Sequence, residues 1–135
     1  MSAERRIAAF FDLADRGLKS AETLFRDGQF EDAAYFAQQI VERLARALLT
    51  KAGIPFGTSH NLGQMASALP EGHPFKSRIN EFDSLSSAAT KYRYPTSSGW
   101  LPQAPDIEGL RKTLDDLTIL TREAKAYVYG RASSN

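Results

Sequence analysis

Between Phe30 and Ala52 the chain contains neither proline nor glycine. Its apolar residues there are Ala33, Ala34, Phe36, Ala37, Ile40, Val41, Leu44, Ala47, Leu48 and Leu49. They cover more of a helical circumference than a single stripe. A helix apolar over so wide an arc must touch several neighbours, so the spacing predicts a central helix with others packed around it. Before it, Ile7, Phe10, Phe11, Ala14, Leu18, Ala21, Leu24 and Phe25 recur at three- and four-residue steps with charges between them, the pattern of an amphipathic helix. Asp27-Gly28 supplies a stop, because glycine takes the left-handed conformation that closes helices.

Gly53-Ile54-Pro55-Phe56-Gly57 ends the central helix, and Thr58 or Ser59 is then expected to cap a short third helix carrying Leu62, Met65, Ala66 and Leu69. Pro70 closes that piece. His73-Pro74 begins a fourth, with Phe75, Ile79, Phe82, Leu85 and Ala89 at helical spacing. The stretch from Thr90 to Pro105 holds prolines, a glycine, Tyr92, Tyr94 and Trp100. It breaks regular helix yet carries too much aromatic surface for a spacer, which marks it as the expected functional loop. Pro105 and Asp106 open a last helix directing Ile107, Leu110, Leu114, Leu117, Leu120, Ala124 and Val128 to the core. With no strand-like alternation, the expected fold is all-α, an antiparallel up-and-down bundle of four to five helices. Residues 1–130 are read as one domain and 131–135 as a frayed tail.

Composition narrows the chemistry. The absence of cysteine among 135 residues removes thiolate catalysis, disulfides and thiolate metal sites, and makes the cytoplasm the expected compartment. Seventeen basic against sixteen acidic residues leave a charge of +1, which argues against duplex DNA as a partner. No apolar run reaches the length of a membrane span, so a soluble protein is expected. Gly53 to Ser59 resembles a phosphate loop only superficially: it lacks the lysine and follows a helix rather than a strand. His60 and His73 lack the spacing of a zinc site, so no metal or other cofactor is expected. Asp115 and Asp116 are adjacent, face different sides and are read as solvated.

Two segments carry the remaining chemistry. Gln38, Glu42 and Arg46 lie four residues apart on one helix flank, with Gln39 beside them. Either they form a surface salt-bridge row, or Glu42 receives Arg93 and fixes the later loop onto the central helix, with Gln39 or Gln38 nearby. Lys91-Tyr92-Arg93-Tyr94 interleaves two cations with two aromatics, charge for a phosphate and flat faces for a base. The alternative is that both tyrosines pack on the bundle while Arg93 pairs with a carboxylate. His60 is read either as a cap of its own helix or as a group reaching the cleft. The candidate ligand-binding set is therefore Gln39, Glu42, Arg46, His60, Lys91, Tyr92, Arg93 and Tyr94.

Taken in order, Gly28 to Gln39, then Glu42 and Arg46 with Ala47-Leu48-Leu49, Thr58-Ser59-His60-Asn61-Leu62 and Tyr92-Arg93-Tyr94-Pro95 resemble the HEPN family over about residues 5 to 128. HEPN domains are small helical units named for proposed nucleotide binding. The resemblance implies a helical bundle, a homodimer, and association with a minimal nucleotidyltransferase in a two-component, toxin-antitoxin type of system. It also implies nucleotide or RNA as ligand. Family members that act as toxins are metal-independent ribonucleases with an arginine, four to six residues, then histidine. Here Arg93 matches the arginine, but Ser98, Gly99 and Trp100 stand where the histidine falls. Losing that acid-base imidazole costs about two to four orders of magnitude in rate. The expected function is thus a non-catalytic binding module. The alternatives are a divergent ribonuclease that uses Tyr94 or His60 as proton carrier and a purely structural partner subunit.

Overall fold

The computed structural model describes residues 2–92, 94–101 and 103–130. Two long helices, α1 (Ala3–Arg26) and α2 (Phe30–Lys51), form an antiparallel hairpin. The Ser2 side chain starts α1 by accepting the Arg5 N–H at 3.2 Å. At the other end Gly28, at φ 78°, donates to the Phe25 carbonyl while Gln29 donates to that of Leu24. This double bond pattern satisfies the last carbonyls of α1 and reverses the chain. The same device closes α2, where Gly53 donates to Thr50 and Ile54 to Leu49.

The central position expected for α2 is confirmed: Ala33, Ala37, Ile40, Val41, Leu44, Ala45 and Ala47 have no exposed surface. Alanines on so many faces let neighbouring backbones approach closely. One close approach to α1 is at Gly17, where a β-carbon would stand 2.9 Å from Ile40 Cγ1.

Short elements follow: α3 (Leu62–Ala68), α4 (Lys76–Asn80), a 3₁₀ turn (Asp83–Ser87) and α5 (Ala88–Lys91). Two expectations change here. Neither Thr58 nor Ser59 caps α3; Asn61 does, accepting the Gln64 N–H at 2.8 Å, because it stands directly before the first helical residue. The expected fourth helix is divided into α4, the 3₁₀ turn and α5, where the Ser87 hydroxyl donates to the Ser84 carbonyl and the Ser86 hydroxyl accepts the Leu62 N–H, local and distant bonds that compete with a continuous helix. Its Ile79 and Phe75 nevertheless reach the core.

The last helix, α6 (Ile107–Tyr129), starts at Asp106, whose side chain accepts the Gly109 N–H at 3.1 Å, and ends at Gly130 at φ 70°. Leu110, Leu114, Leu117, Leu120, Ala124 and Val128 are buried as expected, whereas Ile107 in the first turn is half exposed. Arg111 bonds Glu22 near the end of α1, Lys125 bonds Asp15 at 2.5 Å, and the Tyr129 ring meets Phe11. These pairs make α6 antiparallel to α1. Asp115 and Asp116 hold Arg111 and Lys112 one turn away, on the surface. Among the described residues no helix is long and apolar enough to cross a membrane.

Replacing Gly17 with valine is expected to destabilise the fold by about 2 kcal/mol despite the gain in helix propensity, because its β-carbon would press on Ile40 Cγ1 in the fully buried core. Urea denaturation of Gly17→Val measures this, and unchanged stability contradicts the close approach.

Candidate functional site

Glu42 lies in the middle of α2 and is only 5% exposed, so its flank is not a surface salt-bridge row. A carboxylate in that position needs donors. Gln38, one turn earlier and 1% exposed, donates Nε2 to Glu42 Oε1 at 3.3 Å. Arg46, one turn later, donates Nε to Oε2 at 3.2 Å. His60 places Nδ1 2.8 Å from Oε1.

The same donors hold the connection between α2 and α3. Arg46 donates Nη1 to the Gly57 carbonyl at 2.9 Å and Nη2 to that of Ser59 at 3.1 Å, while Gln38 also donates to the His60 carbonyl at 3.3 Å. His60 is therefore not a helix cap. Its backbone is pinned from α2, and its ring, 64% exposed, leans on Glu42 with Nε2 left without a partner among the described residues. A carboxylate on Nδ1 fixes the tautomer and leaves Nε2 able to accept a proton. His73 is different: its Nδ1 accepts the Phe75 N–H at 3.1 Å, and its ring packs on Phe75 and Tyr127. Burial, with the Lys76 charge beside it, lowers its pKa.

Burial raises the Glu42 pKa, but the hydrogen bonds from His60, Gln38 and Arg46, with the charge of His60, outweigh it, so the carboxyl titrates below its usual range. A carboxyl more acidic when folded contributes stability above its unfolded pKa and loses it as pH falls through the folded value.

The second cluster sits near the start of α2. Lys91 Nζ lies over the Tyr92 ring, 5.3 Å from its centre, and Tyr92 packs partly against the core. Tyr94 is instead 65% exposed, so one tyrosine follows each of the two readings. Beyond it the chain closes on itself: Thr96 donates to the Trp100 carbonyl at 2.8 Å, and Trp100 donates back to Thr96 Oγ1 at 3.1 Å. Gly99, at φ 84°, makes this turn possible. Trp100 and Leu101 project from it, 74% and 86% exposed. A cavity of about 290 Å³ at the loop's base is lined by Ala34, Ser84, Lys91, Tyr92, Asp106 and Thr113.

The structure thus brings together Glu42, Arg46 and His60, and separately Lys91 and Tyr92 with Tyr94 following. Among the described residues no hydrogen bond or ion pair joins the two groups: Ala34, at the second, and Glu42, at the first, are about 12 Å apart along the helix. Gln39 makes no side-chain hydrogen bond among the described residues; Gln38 takes the place beside Glu42. Arg93, and with it the expected pairing to Glu42, lies outside the described residues. Trp100 and the carbonyls of Gly57 and Ser59 are absent from the sequence-derived site, although an isolated tryptophan between prolines signals the first. Among the described residues no group of three or more His, Asp or Glu side chains is placed to hold a metal ion.

A helical hairpin with a third long helix laid across it and short helices between is a family architecture as well as a packing solution. The HEPN domain model matches residues 7–127. The crystal structure of an archaeal HEPN homologue superimposes with a TM-score of 0.67, at 18% identity, over 95% of this chain and 99% of that one. No curated protein matches. The chain belongs to the HEPN family.

Glu42→Gln is expected to lower stability by about 2 kcal/mol at pH 7, because it leaves Arg46 and His60 without their anion. The gap between wild type and variant should hold from pH 7 to about 5 and narrow below about 4. Urea titrations at several pH values check this; a gap unchanged at pH 3.5 contradicts a buried carboxylate. His60→Ala should cost less, about 1 kcal/mol, since its ring is largely in solvent.

Proposed function

We propose that this chain is a non-catalytic HEPN module that binds nucleotide or single-stranded RNA through residues 91–101, as a homodimer beside a nucleotidyltransferase partner in the cytoplasm. The observation that carries this reading is the exposure of Tyr94 and Trp100 on a self-bonded loop next to Lys91. Folding leaves both rings largely in water, forgoing the stabilisation their burial would bring. Flat faces beside cations suit stacked bases and phosphates. Arg93, adjacent in sequence, supplies a further cation, and family membership supports the nucleotidyltransferase partner.

The missing histidine after Arg93 favours binding over cleavage. A second reading, a divergent ribonuclease, is favoured by one observation: His60, oriented by Glu42, has the form of an acid-base imidazole. RNA left intact over hours by micromolar protein ends that reading.

Trp100 is the sole tryptophan, so intrinsic fluorescence reports the loop directly. Titration with mono-, di- and triphosphate nucleotides and with a short single-stranded RNA is expected to quench it. Arg93→Ala and Tyr94→Ala should weaken that binding about tenfold or more while leaving the melting temperature nearly unchanged. Ligand at a hundredfold excess over Kd adds about 2.7 kcal/mol of stability, a shift of several degrees. Unchanged fluorescence with every ligand, or normal binding by both variants, removes the site assignment.

A further inference from the structure

The cavity of about 290 Å³ at the base of the 91–101 loop lies between the start of α6, the 3₁₀ turn, α5 and the first turns of α2. Its floor is apolar: Ala34, Ala88 and Leu110 are buried, and Leu85 and Tyr92 are half-buried beside them. Its rim is polar, with Lys91 and Asp106 both lining it along with Ser84 and Thr113. The volume stands at the low end for small-molecule sites, which combine apolar walls with a few orienting polar groups, and it suits one ring system rather than a chain.

The charges at this rim differ from those next door. An adjoining cavity of about 260 Å³ shares Ser84, Leu85 and Thr113, but its lysine and aspartate are paired, Lys112 donating to Asp116 at 2.7 Å. Lys91 and Asp106 line one cavity with opposite charges, and neither forms an ion pair among the described residues. Lys91 Nζ rests on the Tyr92 ring. Asp106 Oδ2 accepts the Gly109 N–H at 3.1 Å, while Oδ1 has no partner among the described residues. Gly109 makes room for the carboxylate, since a β-carbon there would stand 2.7 Å from Oδ2. An ionised carboxylate accepts at about four lone-pair positions, and the helix cap uses one. The Ser84 and Thr113 hydroxyls likewise make no hydrogen bond among the described residues.

We infer that this cavity is a guanine pocket, in which the Asp106 carboxylate accepts the N1–H and N2–H of the base, the purine lies on the apolar floor and Lys91 meets the phosphate. Such a pocket rests on the reading of the loop as a nucleotide site and names the base that it selects. Guanine alone among the common bases presents two adjacent N–H donors on its Watson–Crick edge, which match the two oxygens of a carboxylate. Adenine and cytosine put an unprotonated ring nitrogen beside their amino group, and uracil flanks its one N–H with carbonyls. Each of these would hold a lone pair against the carboxylate, a mismatch that a hydrogen-bonding site rejects strongly. Ser84 and Thr113 supply partners for the ribose hydroxyls.

Titration of the full chain with GMP, IMP, AMP, CMP and UMP, followed by Trp100 fluorescence and amide chemical shifts, tests this. GMP is expected to bind about tenfold or more tightly than AMP, CMP or UMP and to shift residues 85, 88, 110 and 113 saturably. IMP, which lacks the N2 amino group, should bind more weakly than GMP. Asp106→Asn keeps the α6 cap, since asparagine serves that position as well as aspartate, but turns one acceptor into a donor. It should bring GMP within about twofold of AMP, with an unchanged circular dichroism spectrum. The guanine pocket is overturned if IMP binds as tightly as GMP, if GMP leaves residues 85, 88, 110 and 113 unshifted, or if Asp106→Asn keeps the preference. Binding of all five nucleotides within about threefold of one another, with Trp100 still quenched, overturns the pocket but leaves the loop site standing. Binding of none ends both.

Discussion

A single buried carboxylate organises the connection on which the rest of the bundle turns. Glu42 occupies the middle of a helix enclosed by neighbours, where an ionised group survives only with donors around it. Two come from its own helix, one turn to either side, and the third comes from His60 across the chain. Gln38 and Arg46 reach past the carboxylate to the carbonyls of Gly57, Ser59 and His60. The network therefore fixes an otherwise irregular segment and sets where α3 begins. Asn61, placed by that segment, then caps α3.

Long-range ion pairs secure the outer helix. Arg111 with Glu22 and Lys125 with Asp15 lie at opposite ends of the α1–α6 contact, and Arg78 with Glu123 ties α4 to the same helix. Partly exposed pairs of this kind are individually weak, so their main consequence is alignment rather than stability. The core beneath them is mostly leucine on the α6 side and, on α2, half alanine and half larger aliphatics. Small residues bring the hairpin's backbones together, and larger ones fill the space under α6.

The archaeal homologue shares this arrangement at 18% identity, which is what packing predicts: apolar size and spacing carry the fold, and many sequences meet that requirement. Chemistry is less transferable. The histidine that a toxin-type member carries after its loop arginine is absent here, and the exposed His60 imidazole is oriented by Glu42 instead. Fold membership and site composition are separate statements about this chain.

Three long helices, their glycine stops and most core positions were legible in the sequence, because helical periodicity, left-handed glycine and Asp106 at an N-cap act within a few residues of one another. The flank Gln38, Glu42 and Arg46 was legible as a row, but its burial was not. A four-residue spacing gives mutual contact without saying what covers the flank, and only α3 and the preceding segment, arriving from elsewhere in the chain, do so. The breaks between α4, the 3₁₀ turn and α5 were likewise hidden, since serine's competing local bonds are settled by what Leu62 and Gly63 need from Ser86 and Asp83. Sequence alone thus determined the three long helices and their order along the chain. Which tyrosine packs and which faces water, and what surrounds the central carboxylate, was decided only when distant segments were brought into contact, because burial is a property of the assembled fold rather than of local spacing.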